Sequence, residues 1–359
     1  MPTKLRVLIV DDSVVFRSQI RAALETSPDI EIAGIANNGK IALQKLAQAS
    51  VDVVVLDMEM PEMGGMETIK EIRRLKFPTR ILVFSSATKR GSVEALEALT
   101  HGADDLIAKP DATGIGVGAP GATLKEILVP KVLQFQSTMN PSSTKVTMTT
   151  VTEARPKANK KEVRGFIPEV IVIASSTGGP AAIDAVLALV KNPISVPIVI
   201  AQHMPPVFTA SMARRIQERT GVETAEAEDK QELKKNRIYI APGNFHLSIR
   251  RFGPTPHLIL GQEPLRNSVR PAADYLFESA ARTFGNKCLG VVLTGMGEDG
   301  LVGCRAVKES GGAIVIQNKE SCTVFGMPGA VFQNDLQDQI QDLNQLSKSF
   351  ELWSRGQSI

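Results

Sequence analysis

A serine at the end of a buried strand is the first chemistry this chain offers. The run Glu169-Val-Ile-Val-Ile-Ala-Ser-Ser-Thr-Gly-Gly-Pro180 reads as an apolar strand breaking into a tight turn that opens a helix. Ile171, Val172 and Ile173 supply β-branched side chains, and Gly178 and Gly179 supply the turn. Pro180 suits the first helical turn, where its missing N–H costs nothing. Ser176 therefore stands at the mouth of an α/β sheet beside the positive end of a helix, the placement a nucleophilic serine needs.

Such a serine needs a base within hydrogen-bond reach and an anion to orient that base. The chain has four histidines, so elimination is possible. His101 belongs to the N-terminal half, and His257 and His246 fall at strand starts. His203 follows the apolar strand 196–201 in Ala-Gln-His-Met-Pro-Pro and shares the rim with Ser176, so it is preferred, with His246 second. The anion is Asp299, in Val291-Val-Leu-Thr-Gly-Met-Gly-Glu-Asp-Gly300, another buried strand that breaks into glycines. Taken alone, Asp299 reads better as a turn residue or helix N-cap; taken with Ser176 and His203 at two other strand ends, it reads as the third member of a triad. The same turn exposes backbone N–H groups able to form an oxyanion hole, with Met296 N–H the preferred donor. The Gly-x-Ser-x-Gly elbow of ordinary α/β-hydrolases is absent.

A second set of residues suits phosphoryl chemistry. Asp11 and Asp12 follow one strand and Asp57 another, so three carboxylates converge at adjacent strand ends. They repel unless a cation sits among them, and an oxygen-only site suits Mg²⁺. Ser85 and Lys109 end two further strands. The lysine can neutralise a phosphoryl oxygen, and the serine hydroxyl can report its presence.

The elements that must position these groups alternate. Strands are expected at 6–10, 31–36, 51–56, 81–84 and 105–108, with helices near 14–26, 39–49, 65–75, 91–101 and 123–135. Five βα units predict an open parallel sheet over residues 1–136 with helices on both faces. Residues 137–165 are predicted to be a flexible linker: 137–164 hold six basic residues against two acidic ones amid Ser, Thr and Asn. A second doubly wound α/β domain is expected over 166–350, with strands near 170–174, 196–201, 237–241, 246–250, 257–260, 288–293 and 312–316.

Composition removes other classes. A net charge of +3 and an aromatic content of 4% argue against nucleic acid as a partner, and no helix-turn-helix is visible. The three cysteines lack metal-ligand spacing and read as reduced thiols. No apolar run approaches the roughly 20 residues that span a bilayer, and the N-terminal residues lead directly into a strand. The expectation is a cytoplasmic protein without membrane insertion.

Val-Asp-Asp-Ser (10–13), Leu-Asp-Met-Glu-Met-Pro (56–61), Phe-Ser-Ser-Ala (84–87) and Ala-Lys-Pro (108–110) resemble the flavodoxin-like receiver domain of bacterial response regulators. The resemblance implies that Asp57 accepts phosphate from a chemotaxis sensor histidine kinase. It also implies Mg²⁺ held by Asp12, Asp57 and the backbone of Glu59, with Asp11 binding through water. Ser85 takes the switch position, with Ser86 the alternative.

Ala-Ser-Ser-Thr-Gly-Gly-Pro (174–180), Gln-His-Met-Pro (202–205), Ala-Pro-Gly-Asn-Phe-His (241–246), Arg-Pro-Ala-Ala-Asp (270–274), Thr-Gly-Met-Gly-Glu-Asp-Gly (294–300) and Phe-Gly-Met-Pro-Gly-Ala (325–330) resemble the chemotaxis protein-glutamate methylesterase family, CheB. That resemblance implies Ser176 as nucleophile, His203 as general base and acid, Asp299 as orienting carboxylate and Thr177 as support for the histidine, with no cofactor at the esterase site. The implied reaction is hydrolysis of glutamate γ-methyl esters, and deamidation of glutamines, on methyl-accepting chemotaxis receptors. The receiver is expected to restrain the esterase until Asp57 is phosphorylated. Three features depart from the family pattern: Ser175, which offers a competing hydroxyl; Val269, where histidine is expected; and a long linker. The rival reading is a phosphorylation-gated binding protein without catalysis.

Overall fold

The computed structural model describes residues 4–110, 123–136 and 165–358. The chain divides into two compact units, Met1–Val151 and Thr152–Ile359. Residues 137–164 of the expected linker lie outside the described residues.

The first unit alternates strand and helix in the expected order. Its elements are β1 (Leu5–Val10), α1 (Val14–Leu24), β2 (Ile30–Ala36), α2 (Gly39–Gln48), β3 (Val53–Asp57), α3 (Gly65–Arg74), β4 (Arg80–Ser85), α4 (Lys89–Thr100), β5 (Asp105–Ala108) and α5 (Leu124–Leu133). The strands form one parallel sheet in the order β2-β1-β3-β4-β5. The order reverses at β1, so the crevice for a ligand opens beyond the ends of β1 and β3. Helix starts follow local side-chain chemistry. Ser13, Asn38, Thr88 and Thr123 each accept an N–H of the first turn, which otherwise has no acceptor.

The second unit contains β6 (Val170–Ser175), α6 (Gly179–Val186), β7 (Ile198–Gln202), α7 (Phe208–Thr220), β8 (Glu223–Glu226), β9 (Arg237–Ile240), β10 (His246–Phe252), β11 (Thr255–Gly261), α8 (Ala273–Phe284), β12 (Cys288–Val292), α9 (Leu301–Glu309), β13 (Ala313–Gln317), α10 (Met327–Gln333), β14 (Gln339–Gln341) and α11 (Leu343–Ser354). Seven strands form a parallel sheet ordered β14-β13-β12-β6-β7-β9-β8, and β10 and β11 form a separate antiparallel hairpin. Every residue of β6, β7, β12 and β13 is buried. Strands covered on both faces carry continuous Val/Ile runs rather than alternation, which is why the sequence exposes them.

Two strands were not expected from the sequence. β8 is Glu-Thr-Ala-Glu and β14 is Gln-Ile-Gln, and both lie at sheet edges. Short, polar strands protect an edge from further pairing, and the same polarity hides them from a hydrophobic pattern.

Candidate functional site

In the first unit, Asp11 and Asp57 are buried and Asp12 is exposed, at the ends of β1 and β3. One carboxylate oxygen from each lies within 4.8 Å of the others. Lys109, just past β5, reaches Asp57 Oδ1 at 2.9 Å and Asp11 Oδ2 at 3.1 Å. Its ammonium also sits over the rings of Phe16 (4.6 Å to the centroid) and Phe84 (5.7 Å), which hold it in place by cation–π attraction. Burial pushes the Asp57 carboxyl above its ordinary range; Lys109 opposes this and Asp11 reinforces it.

The remaining expected residues follow Asp57 in the chain or end the neighbouring strand β4. Glu59 N–H donates to Asp57 Oδ1 at 3.4 Å. Ser85 ends β4, its hydroxyl donates to Gly91 O at 3.1 Å, and its carbonyl accepts Lys109 N–H at 2.7 Å. Ser86 is instead hydrogen-bonded to the Thr88 hydroxyl at 3.2 Å. The donor set fits a hard divalent cation. It is all oxygen, it is doubly acidic after Lys109 is counted, and among the described residues buried Asp11 Oδ2 meets only the Lys109 ammonium.

In the second unit, three strand ends converge. Ser175 closes β6 opposite Gln202 at the end of β7, so Ser176 and His203 are the first residues beyond paired positions. His203 N–H donates to Ser175 O at 3.0 Å and extends the ladder by one bond. Gly178 makes the turn after Ser176 possible: its φ is +75°, and a Cβ there would meet Thr323 Oγ1 at 2.3 Å. On the other side, β12 leads through Thr294, whose carbonyl accepts Ser176 N–H at 3.0 Å, to Gly295. A Cβ on Gly295 would lie 2.8 Å from Ser176 Cβ, so only glycine lets this turn approach the serine. The next N–H, that of Met296, has no protein acceptor among the described residues. Thr177 is fully buried, and its carbonyl accepts the Thr294 hydroxyl at 2.9 Å.

His203 Nε2 lies 2.7 Å from Asp299 Oδ2. No hydrogen bond joins the Ser176 hydroxyl to the His203 ring among the described residues; such bonds commonly tighten only with substrate bound. Asp299 is 2% exposed and accepts three further bonds. Ala273 N–H reaches Oδ2 at 2.6 Å, Asp274 N–H reaches Oδ1 at 3.3 Å, and Asn267 Nδ2 reaches Oδ1 at 2.9 Å. The two N–H groups belong to the first turn of α8, so the carboxylate sits on a helix N-terminus. Burial pushes Asp299 upward, but the His203 bond, its charge, Ala273 N–H and Asn267 outweigh it and hold the carboxyl below its ordinary range.

His246, the second choice for base, is occupied elsewhere. Its Nδ1 accepts Ala272 N–H at 3.1 Å, and its Nε2 lies 3.2 Å from Pro264 O. The Ser175 hydroxyl is fully buried and donates to Gln202 Oε1 at 2.6 Å. Val269 closes a tight turn with Arg266 through reciprocal N–H···O bonds of 3.1 and 3.3 Å.

The CheB methylesterase family model matches residues 171–350, and the response regulator receiver domain model matches residues 7–114. The chain belongs to the CheB methylesterase family. A protein-glutamate methylesterase/protein-glutamine glutaminase of Trichodesmium erythraeum is 41% identical over 345 residues, covering 96% of this chain and 97% of that protein. A protein of the same description from Thermotoga maritima is 36% identical over 342 residues, covering 94% of each. The crystal structure of the Thermotoga maritima CheB methylesterase catalytic domain, 38% identical, covers 51% of this chain and 97% of that chain with a TM-score of 0.50.

Sequence reasoning overlooked two side chains of this CheB-family site. Gln202 Nε2 donates to both Ser176 O (2.9 Å) and His203 O (3.1 Å), tying the two turns together. Its only sequence signal is adjacency to His203. Asn267 lies in a turn far from any strand end, and nothing in its neighbours announces a bond to Asp299. Among the described residues no helix is long and apolar enough to cross a membrane.

Proposed function

We propose that Ser176, His203 and Asp299 hydrolyse glutamate γ-methyl esters, and the corresponding glutamine amides, on chemoreceptors, under control of phosphorylation at Asp57. The observation that carries the esterase reading is the 2.7 Å bond between His203 Nε2 and Asp299 Oδ2 at the strand rim that bears Ser176. An ionised carboxylate only accepts, so Nε2 carries the proton and Nδ1 is the basic nitrogen. Nδ1 takes the Ser176 proton as Oγ attacks the ester carbonyl, and Met296 N–H donates to the oxyanion that forms. The proton passes from Nδ1 to the departing methoxide, methanol leaves, and water activated at Nδ1 releases the glutamate. An amide passes through the same intermediate and releases ammonia.

In the receiver unit, Asp12, Asp57 and the backbone of Glu59 would hold Mg²⁺, with Asp11 binding through water. Bound there, the ion supplies positive charge against the phosphoryl oxygens. Asp57 is the acceptor, Lys109 pairs with a phosphoryl oxygen, and the Ser85 hydroxyl turns from Gly91 O towards the new group. A chemotaxis sensor histidine kinase is the phosphodonor. The test is methanol release from methylated chemoreceptor membranes, with and without Mg²⁺ plus a small-molecule phosphodonor, beside Ser176→Ala. Release that rises with the phosphodonor and vanishes in the variant is expected. No release from folded protein would favour a binding protein instead.

A further inference from the structure

Asp299 is not the only buried acid behind His203. Asp274, the second residue of α8, is 1% exposed, and its own N–H donates to Asp299 Oδ1. Its Oδ1 accepts Gly303 N–H at 2.8 Å, and its Oδ2 lies 3.2 Å from Arg266 Nε. Two carboxylates this close and this dry repel each other unless donors satisfy both.

Asn267 stands between them. Its Nδ2 donates to Asp299 Oδ1 at 2.9 Å and to Asp274 Oδ2 at 3.1 Å. A side-chain amide suits the place because one neutral nitrogen carries two N–H donors and adds no charge. The backbone is shaped for it. Asn267 has φ +53° and Ser268 φ +63°, inside the turn closed by Arg266 and Val269. Asparagine is among the few side chains that occupy this region readily. Arg266 anchors the turn to α8 through Asp274 and through Glu278 at 2.7 Å.

We infer that Asn267 is a positioning residue of the esterase site: it fixes the rotation of the Asp299 carboxylate so that Oδ2 meets His203, and it lets Asp274 share the same buried volume. The inference rests on reading Ser176, His203 and Asp299 as the catalytic triad. The two acids differ as this role requires. Burial pushes Asp274 above its ordinary range, with Asp299 adding to the rise, whereas the donors around Asp299 hold it below. The proton, if one enters, goes to Asp274 and leaves Asp299 charged against His203.

The test uses full-length protein and methylated chemoreceptor membranes. Asn267→Gly removes the amide yet accepts a positive φ without strain. It is expected to lower kcat about 10- to 100-fold, the size of one lost charge-assisted hydrogen bond, with KM little changed. In an Asp299→Ala background the same change is expected to cost nothing more, because the amide then has no carboxylate to act through. Asn267→Asp keeps the size and the backbone preference but sets a third carboxylate against two, and is expected to lose more than the glycine variant. Ring ¹⁵N shifts of His203 should move from one tautomer towards a mixture in Asn267→Gly, a change that a purely structural turn would not produce. Unchanged kcat in Asn267→Gly, or a loss that adds fully to Asp299→Ala, would overturn the inference alone. Wild-type kcat in Asp299→Ala would overturn the triad reading and the inference with it.

Discussion

The Ser175 hydroxyl donates to Gln202 Oε1 across 2.6 Å in a position closed to solvent, and this bond separates the roles of two adjacent serines. With Oε1 held, the Gln202 amide nitrogen faces the carbonyls of Ser176 and His203. The competing hydroxyl that the sequence offers is thereby spent on fastening the turn, while the Ser176 hydroxyl has no such partner among the described residues.

Ser175→Ala is therefore expected to retain catalysis and lose stability. It leaves the buried Gln202 Oε1 without its donor, a cost of about 1–3 kcal/mol. Ser176→Ala is expected to do the reverse, abolishing methanol release with little change in melting temperature. Thermal melts and rates on both variants check the pair. Loss of activity in Ser175→Ala with a native melt would move the nucleophile.

Asp299→Asn keeps the size of the side chain but can no longer dictate which His203 nitrogen carries the proton. A fall in kcat of about 10³- to 10⁴-fold is expected, from the wrong tautomer rather than from lost packing. Because the charged form of Asp299 is favoured in the folded site, its titration should not appear in the wild-type rate profile at pH 5 or above. A rate within tenfold of wild type in a folded Asp299→Asn protein would remove it from the mechanism.

Much of this was legible in the sequence for one physical reason. Parallel strands buried on both faces read as unbroken Val/Ile runs, and their C-terminal ends mark the rim of the crevice. Ser176, His203, Asp57 and Lys109 could be placed by counting forward from such runs. The strands β8 and β14 could not, because their polar edge sequences carry no hydrophobic signal. Asn267 and Gln202 were missed for a different reason. Gln202 matters through its bonds to Ser175 and Ser176, and Asn267 through its bond to Asp299, partners distant in the chain, and a pattern of residue types does not encode a bond direction.

Lys109 is the cation that lets Asp11 and Asp57 stay buried side by side. Lys109→Met keeps an unbranched side chain beside Phe16 and Phe84 but removes the charge, leaving two unpaired carboxylates. A loss of receiver stability of ~3–5 kcal/mol is expected without divalent cation. Added Mg²⁺ should raise the melting temperature of the variant more than that of the wild type, since binding then replaces the missing charge. Equal shifts in both proteins would mean that the carboxylates do not share the ion.

His246 gives the esterase unit a dependence on pH that is independent of catalysis. Burial, the largest influence, lowers its pKa from the ordinary 6.5, with the Arg270 charge acting in the same direction. The Pro264 carbonyl, Glu263 and Asp299 oppose the shift. The neutral ring fits its partners, with Nδ1 accepting Ala272 N–H and Nε2 facing Pro264 O. Protonation would set an N–H at Nδ1 against the Ala272 N–H at the start of α8, the helix that seats Asp299. The unfolded chain binds this proton near pH 6.5 and the folded protein only at lower pH, so stability rises with pH between those two values. The contribution of His246 should thus be complete above about pH 6.5 and fall away as the solution is acidified towards the folded pKa. Melting temperatures of wild type and His246→Gln across pH 5 to 8 provide the check. The variant should melt lower at pH 8 and show a shallower fall on acidification, and parallel curves would assign the acid sensitivity to other groups.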